Sequence, residues 1–427
     1  MQKLPYAIIG AGPSGLSAAR ALQKSGLNFI GFEKHADVGG LWDINNPHST
    51  VYQSAHLISS KKMTEFSEFP MKDSIADYPS HRDLFNYFLD FANHFDLKKH
   101  YKFNADVQSV TRQDDGTWLI TANNETTHVA GVILATGTLH YPNLPEQKGN
   151  YTGESIHSSQ YKSADIFKNK RVLIVGCGNS ACDIAVDAIH HAKSVDISVR
   201  RGYHFVPKYI FGKPADTMGK SKLPPFLQKN VQKKILKAFM GSPENYGFPK
   251  PDHDLFESHP VVNSLILYHA GHGDIKVKPD IEKTEGKTVY YKDGTSEDYD
   301  LILWATGYKL KYPFIDTKLM NWTKATPDLY LKIFHPTIDN LFVVGMIEAL
   351  GLGWQGRYEQ AELVACYLKQ KEAQSASYMK FNGMKDRPID LSGNMNYIKL
   401  DRMSYYVNKG VYLGEIMRHK KVLNACV

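Results

Sequence analysis

Three glycines, a proline and a carboxylate open the chemistry of this 427-residue chain. Gly10, Gly12, Pro13, Ser14 and Gly15 follow the apolar run Ala7 to Ile9, and Glu33 ends a second apolar run that begins at Leu27. Glycines at that spacing let the backbone approach a pyrophosphate, and the N-terminus of the helix that follows offers N–H groups and a favourable dipole to the anion. A carboxylate about 20 residues further on is placed to accept hydrogen bonds from a ribose diol.

The same pattern returns later. Arg171 to Val175 read as a strand, Gly176, Gly178, Asn179, Ser180 and Asp183 lie in the turn and helix start GCGNSACD, and Val195 to Val199 read as the next strand. Where the first copy has Glu33, this one has Arg200 and Arg201. A carboxylate there would repel a 2′-phosphate, whereas guanidinium groups form charge-assisted, bidentate contacts with it. The two endings predict two dinucleotides, one with a free 2′-hydroxyl and the other NADPH.

The elements that position these groups alternate strand and helix, which predicts an α/β fold with two Rossmann-like dinucleotide-binding domains. In the first, a helix runs from Pro13 past Leu16, Ala18, Ala19 and Leu22, with Gly26 as its cap. Residues 83–97 place Leu84, Phe85, Phe88, Leu89, Phe91, Ala92 and Phe95 at helical spacing, an aromatic stripe for the core. Residues 101–136 alternate like antiparallel strands around an Asp114-Asp115-Gly116 turn and close on a buried strand, VILATG. WATGY at 304–308 echoes that ending, NLFVVG at 340–345 reads as a buried strand, and a helix is expected from about Gln355 to Gln370. The Pro-rich stretch 203–275 reads as a helical insertion, and 371–427 as a packing or subunit-contact tail.

A net charge of +7 is modest, and the Lys and Arg residues are scattered except near Lys229, Lys233, Lys234 and Lys237 and from Arg418 to Lys421. Solvated helix faces account for those clusters, so no nucleic-acid partner is expected. No apolar run reaches the roughly 18 residues of a membrane span, and the first strand begins too early for a signal peptide, so no membrane contact is expected. Four cysteines are too few for a disulfide framework, which leaves a cytoplasmic protein as the expectation. No residue set reads as a metal site.

With GAGPSG, GGLW (39–42), GCGNSACD, Arg200-Arg201-Gly202 and ATGY (305–308) in place, the chain resembles the flavin-containing monooxygenases from about residue 4 to 370. The most specific match is YTGESIHSSQY at 151–161, where the family fingerprint falls on Tyr151, Gly153, His157 and Tyr161. Baeyer–Villiger relatives usually end that motif in Trp, so Tyr161 favours the branch that oxidises heteroatoms. The resemblance implies a discontinuous FAD-binding domain over 1–140 and 310–427 and an NADPH-binding domain over 165–305 that carries the insertion, with crossover linkers at 141–164 and 306–312. It also implies FAD contacts from Gly10, Gly12, Pro13, Ser14, Gly15, Glu33, Lys34, Gly40, Leu41, Trp42, Ser59, Val107 and Thr136. NADPH contacts fall on Gly176, Gly178, Asn179, Ser180, Asp183, Arg200 and Arg201. His157 is expected to couple NADPH binding to domain position.

The family's segment between flavin and nicotinamide has Ser-Asn or Thr-Asn, two small residues and Lys. Here Ser59, Ser60 and Lys61 fall into place, but Ile58 stands where Asn is expected. No catalytic side chain is assigned; Ser59 and His56 are the flavin-side candidates for the missing hydrogen bond. As the resemblance implies, the enzyme forms a C4a-hydroperoxyflavin from FAD, NADPH and O₂ and oxygenates a soft nucleophile such as a sulfide, amine or indole. A homodimer is usual for similar proteins. Three rivals remain: a Baeyer–Villiger ketone oxygenase, a disulfide reductase using Cys177 and Cys182, and a redox-silent NADP(H)-binding regulator.

Overall fold

Short, wholly apolar strands with small residues between them belong at the centre of a parallel sheet, where both faces are covered. Tyr6–Ile9 is such a strand, buried at every position. It lies between Gly131–Leu134 and Phe29–Phe32, parallel to both. Leu341–Val343 and Tyr101–Lys102 complete the five-stranded sheet at its two edges. The structure, a computed structural model, describes residues 3–146, 148–217 and 225–423, without the side chains of 225–230, 232 and 233. The side chains of Lys229 and Lys233 therefore lie outside the described set.

The chain forms two units, one of Met1–Ser49, Lys61–Tyr141 and Lys309–Val427, the other of Thr50–Ser60 and Pro142–Tyr308. In the first, the Pro13–Lys24 helix starts with Pro at its first turn and packs against the Gly353–Glu372 helix. Gly26, at a φ of +70°, ends it. The aromatic stripe forms the His81–His94 helix, which a Ser80–Asp83 capping box starts two residues before the expected position.

The run expected to be antiparallel divides. Tyr101–Lys102 joins the parallel sheet, because Gly31 and Phe32 leave an open edge beside it. Val107–Arg112, Trp118–Ala122 and Glu125–Val129 form a separate antiparallel sheet. Its alternating inner residues Val110, Trp118, Ile120 and Val129 share a core with Ile9, Leu134 and Val343. The tail belongs to this unit too. Its Lys409–Val422 helix packs on the Gly353–Glu372 helix, and Tyr412 and Ile416 are buried.

The second unit has its own five-stranded parallel sheet, in the order Glu154–His157, Leu301–Trp304, Arg171–Val175, Ser194–Ser198, Ile275–Lys278. Two expectations need correction here. Residues 141–164, expected to be a linker, contribute the edge strand Glu154–His157 and the Gly149–Tyr151 strand of a smaller sheet. The Leu265–His272 helix, expected within the insertion, packs on the Asn179–Ala188 helix and on the Ile275–Lys278 strand, so it is the crossover into the last strand. Only Ile266 and Leu267 of its eight residues are buried, too few to announce a core helix.

Candidate functional site

At the first turn, Gly10 has a φ of +107°, and a Cβ there would lie 2.7 Å from the Ala135 carbonyl oxygen. A Cβ at Gly15 would lie 1.9 Å from the Gly10 oxygen. These two glycines fold the turn tightly over the strand ends. Gly12 caps the helix without any side-chain hydrogen bond, so no side chain of the cap competes with an anion for the first amides. The Gly39–Trp42 turn lies across it: Gly39 N donates to Ala11 O at 3.0 Å, and a Cβ on Gly40 would come within 3.0 Å of the Gly12 Cα. Leu41 and Trp42 are half-buried beside this turn, and the Trp42 ring meets Trp354 edge-on at 6.0 Å.

Glu33 is buried, and its carboxylate accepts from Ala11 N at 2.6 Å and from His35 N at 2.8 Å. Burial pushes its pKa up, and those two backbone donors pull it back. Each oxygen keeps a lone pair for a ribose hydroxyl. Lys34 reaches Asp106 at 3.1 Å. Thr136 follows the Gly131–Leu134 strand, and its carbonyl oxygen accepts from His140 Nε2 at 2.6 Å; Val107 is buried in the antiparallel sheet.

Ser14 is buried, and a Cβ at residue 345 would lie 2.2 Å from its Oγ, which explains glycine there. Gly345 N donates to Gln360 Oε1 at 2.9 Å, and Gln360 is fully buried. Gly345, Trp354 and Gln360 were missed from sequence. The run GLGWQGRYEQ after a buried strand was the available signal.

The second turn repeats the geometry. Gly176 has a φ of +119°, and a Cβ there would lie 2.6 Å from the Ala305 oxygen. Ala135 and Ala305 occupy the same place in LATG and WATG, so the echo in sequence is an echo in space. Gly178 caps the Asn179–Ala188 helix without a side-chain bond and has nothing within 4 Å of its Cβ direction.

The polar residues around it are partly spent on the protein. Asn179 accepts from Val262 N at 2.7 Å and donates to Pro260 O at 3.3 Å. Asp183, pushed up by burial, accepts from Asn263 Nδ2 at 2.6 Å and from Tyr52 OH at 3.2 Å. Ser180 is exposed, and its hydroxyl reaches Tyr52. Arg200 is exposed; Arg201 pairs with Asp252 at 3.0 Å, and its enclosed Nη1 has no hydrogen-bond partner among the described residues. The rest of the fork, on a side chain 34% exposed, is open to an oxyanion.

Cys177 and Cys182 are free, buried and hydrogen-bonded to each other, which with burial raises the Cys182 thiol pKa. Cys177 lies in the second turn and Cys182 in the Asn179–Ala188 helix that follows it.

In the fingerprint, the Tyr151 ring covers Gly153: a Cβ there would lie 2.3 Å from the Tyr151 hydroxyl, which donates to Tyr299 O at 3.0 Å. His157 is buried. Its Nδ1 accepts from Ser159 N at 3.1 Å, which leaves Nε2–H to donate to Gly307 O at 3.1 Å, and burial lowers its pKa. A neutral imidazole thus ties the edge strand to the ATGY loop. Tyr161 is buried and donates to Asp187 at 2.9 Å.

Residues Thr50–Ser60 were expected in the first domain on the flavin side, but they belong to the second unit. Tyr52 is held by Asp183, Gln53 N donates to Lys162 O at 2.9 Å, and Ser60 N donates to Asp216 at 2.7 Å. His56 is exposed, with Nδ1 2.8 Å from Ser54 O; Ser59 and Ile58 are half-buried. The Tyr52 side chain and the backbone of Gln53 and Ser60 thus tie the segment into the unit of the second turn.

The family described as flavin-binding monooxygenase-like matches residues 3–408. Flavin-containing monooxygenase 5 of Homo sapiens is 32% identical over 380 residues, which cover 82% of this chain and 70% of the relative. Flavin-containing monooxygenase 3 of Oryctolagus cuniculus is 31% identical over 371 residues, covering 81% and 70%. Two solved structures share the fold. Cyclohexanone monooxygenase from Rhodococcus sp. Phi1 bound to NADP⁺ has a TM-score of 0.73 at 17% identity, covering 99% of this chain and 97% of that one. S-allyl-L-cysteine S-oxygenase from Allium sativum has a TM-score of 0.68 at 19% identity, covering 100% and 89%.

Proposed function

The chain belongs to the flavin-binding monooxygenase-like family, and from that premise we propose that it oxygenates small soft nucleophiles, sulfides and amines, at sulfur or nitrogen. A flavin-dependent monooxygenase of this family uses FAD and NADPH. FAD reduced by NADPH supplies the activation of O₂, chemistry that no amino-acid side chain provides.

The chain's own residues bind and orient. Around FAD, the turn from Gly10 to Gly15 and the uncapped start of the Pro13–Lys24 helix take the pyrophosphate, Glu33 takes the ribose diol, and Gly40 to Trp42, Val107 and Thr136 line the approach. Around NADPH, Gly176 and Gly178 take the pyrophosphate, and Arg200 and Arg201 take the 2′-phosphate. Asn179 and Asp183 hold the surrounding loops through Val262, Asn263 and Tyr52.

The observation that carries this reading is the pair of matched glycine turns, Gly10 against Ala135 O and Gly176 against Ala305 O, ending in opposite charges at Glu33 and Arg201. Tyr161 at the end of the fingerprint favours heteroatom oxidation over ketone oxygenation. The test is product analysis with NADPH on a thioether, a tertiary amine and a cyclic ketone offered side by side. Sulfoxide and N-oxide should dominate; lactone as the main product would move the enzyme to the Baeyer–Villiger class.

A further inference from the structure

The insertion reaches the charge-selective end of the second nucleotide turn. Asp252 Oδ2 lies 3.0 Å from Arg201 Nε, and its Oδ1 lies 2.9 Å from His253 Nδ1. Just beside it, a Cβ on Gly202 would lie 2.2 Å from Pro249 O and 2.4 Å from the Lys250 carbonyl carbon. Backbone therefore lies directly on backbone where the insertion crosses the strand end. The returning segment is stitched down at three further places. His204 Nε2 donates to His253 O at 2.9 Å, Val261 N to His204 O at 2.9 Å, and Val262 N to the Asn179 side chain at 2.7 Å.

Asp252 thus engages the Nε of a guanidinium whose Nη1 has no partner among the described residues. An arginine carries five N–H donors in a rigid fork, so a carboxylate paired at its Nε side restrains the head while the exposed part of the fork, on a side chain 34% exposed, is left for a second oxyanion. Without that anchor, a long flexible side chain loses rotamer freedom when it meets its ligand, and that loss is subtracted from affinity.

We propose that Asp252 is a positioning residue: it holds Arg201 in the orientation that receives the 2′-phosphate of NADPH, so the insertion shares in setting the preference for NADPH over NADH. The inference rests on the reading of the second turn as the NADPH site. Asp252 does not touch the dinucleotide; it acts through Arg201, as outer carboxylates act on the ligands they orient.

The experiment is calorimetric titration of the FAD-loaded enzyme with 2′,5′-ADP and with 5′-ADP, which reads the phosphate contact independently of turnover. Asp252→Asn should weaken 2′,5′-ADP by roughly tenfold and leave 5′-ADP unchanged, and Asp252→Glu should restore most of the difference. The Asp252 side chain is 54% exposed, so the variants keep the fold. Equal weakening of both ligands, no change, or tighter binding of 2′,5′-ADP as a competing carboxylate is removed would each overturn the proposal. Arg201→Ala separates it from the reading beneath. If that variant still prefers 2′,5′-ADP, the assignment of Arg201 to the 2′-phosphate fails; if the preference is lost there but intact in Asp252→Asn, only the role of Asp252 fails.

Discussion

Gly10 and Gly176 each press a bare Cα against the carbonyl of an alanine in the neighbouring strand ending, Ala135 and Ala305. Because the atom in the way is backbone and φ lies in the left-handed region, neither site can adjust to a methyl group, and the strain is on the order of 1–3 kcal/mol. Gly10→Ala should therefore lower the FAD content of the purified protein, and Gly176→Ala should raise the KM for NADPH with FAD content unchanged; absorbance at the flavin band and steady-state kinetics check the pair. His335 makes a prediction of a different kind. Burial first, then Lys385 and Arg112, push its pKa from 6.5 down to about 4. Between those values the unfolded chain binds a proton that the folded chain refuses. Stability present above pH 6.5 is therefore lost as the pH falls toward 4, by on the order of 3 kcal/mol. The Nδ1 atom accepts from Thr337 N and Ile338 N, and an asparagine oxygen can replace it. His335→Asn should flatten that part of the curve of thermal midpoint against pH.

At the scale of elements, the strand, turn and helix of each nucleotide motif were legible because their signals are local. Gly, Pro and an apolar run fix them within about 30 residues. What was not legible is held by distant partners. Thr50–Ser60 joins the second unit through Asp183, Lys162 and Asp216, none of which its own sequence announces. Asp252 meets Arg201 across 51 positions, inside a stretch that composition marks only as Pro-rich. The tail gave no signal either, yet Tyr412 receives a hydrogen bond from Gln360 Nε2 at 2.8 Å and donates to Leu331 O at 2.9 Å. Gln360 in turn holds Gly345, next to Ser14 of the first turn. Tyr412→Phe takes a buried partner from Gln360 Nε2 and from Leu331 O, so it should cost about 1–3 kcal/mol and loosen FAD, read as a lower melting midpoint and faster flavin release on dilution. Ile58→Asn restores the amide that the family pattern has at that position. It should raise the share of consumed NADPH that appears as product rather than hydrogen peroxide, measured with a peroxide-specific dye.

For the whole molecule, two copies of one supersecondary plan carry two anionic dinucleotides, and the net charge of +7 suits that load. Among the described residues no helix is long and apolar enough to cross a membrane, and no cluster could hold a metal ion. In this family FAD and NADPH supply the chemistry, and the chain's part is to bind and orient them. The most direct measurement supplies the purified enzyme with NADPH, a thioether and ¹⁸O₂, and weighs the sulfoxide. One ¹⁸O atom in each product molecule, with one NADPH consumed, is the result expected. Unlabelled sulfoxide, or NADPH consumed with all the label in hydrogen peroxide, would contradict the assignment as a heteroatom monooxygenase.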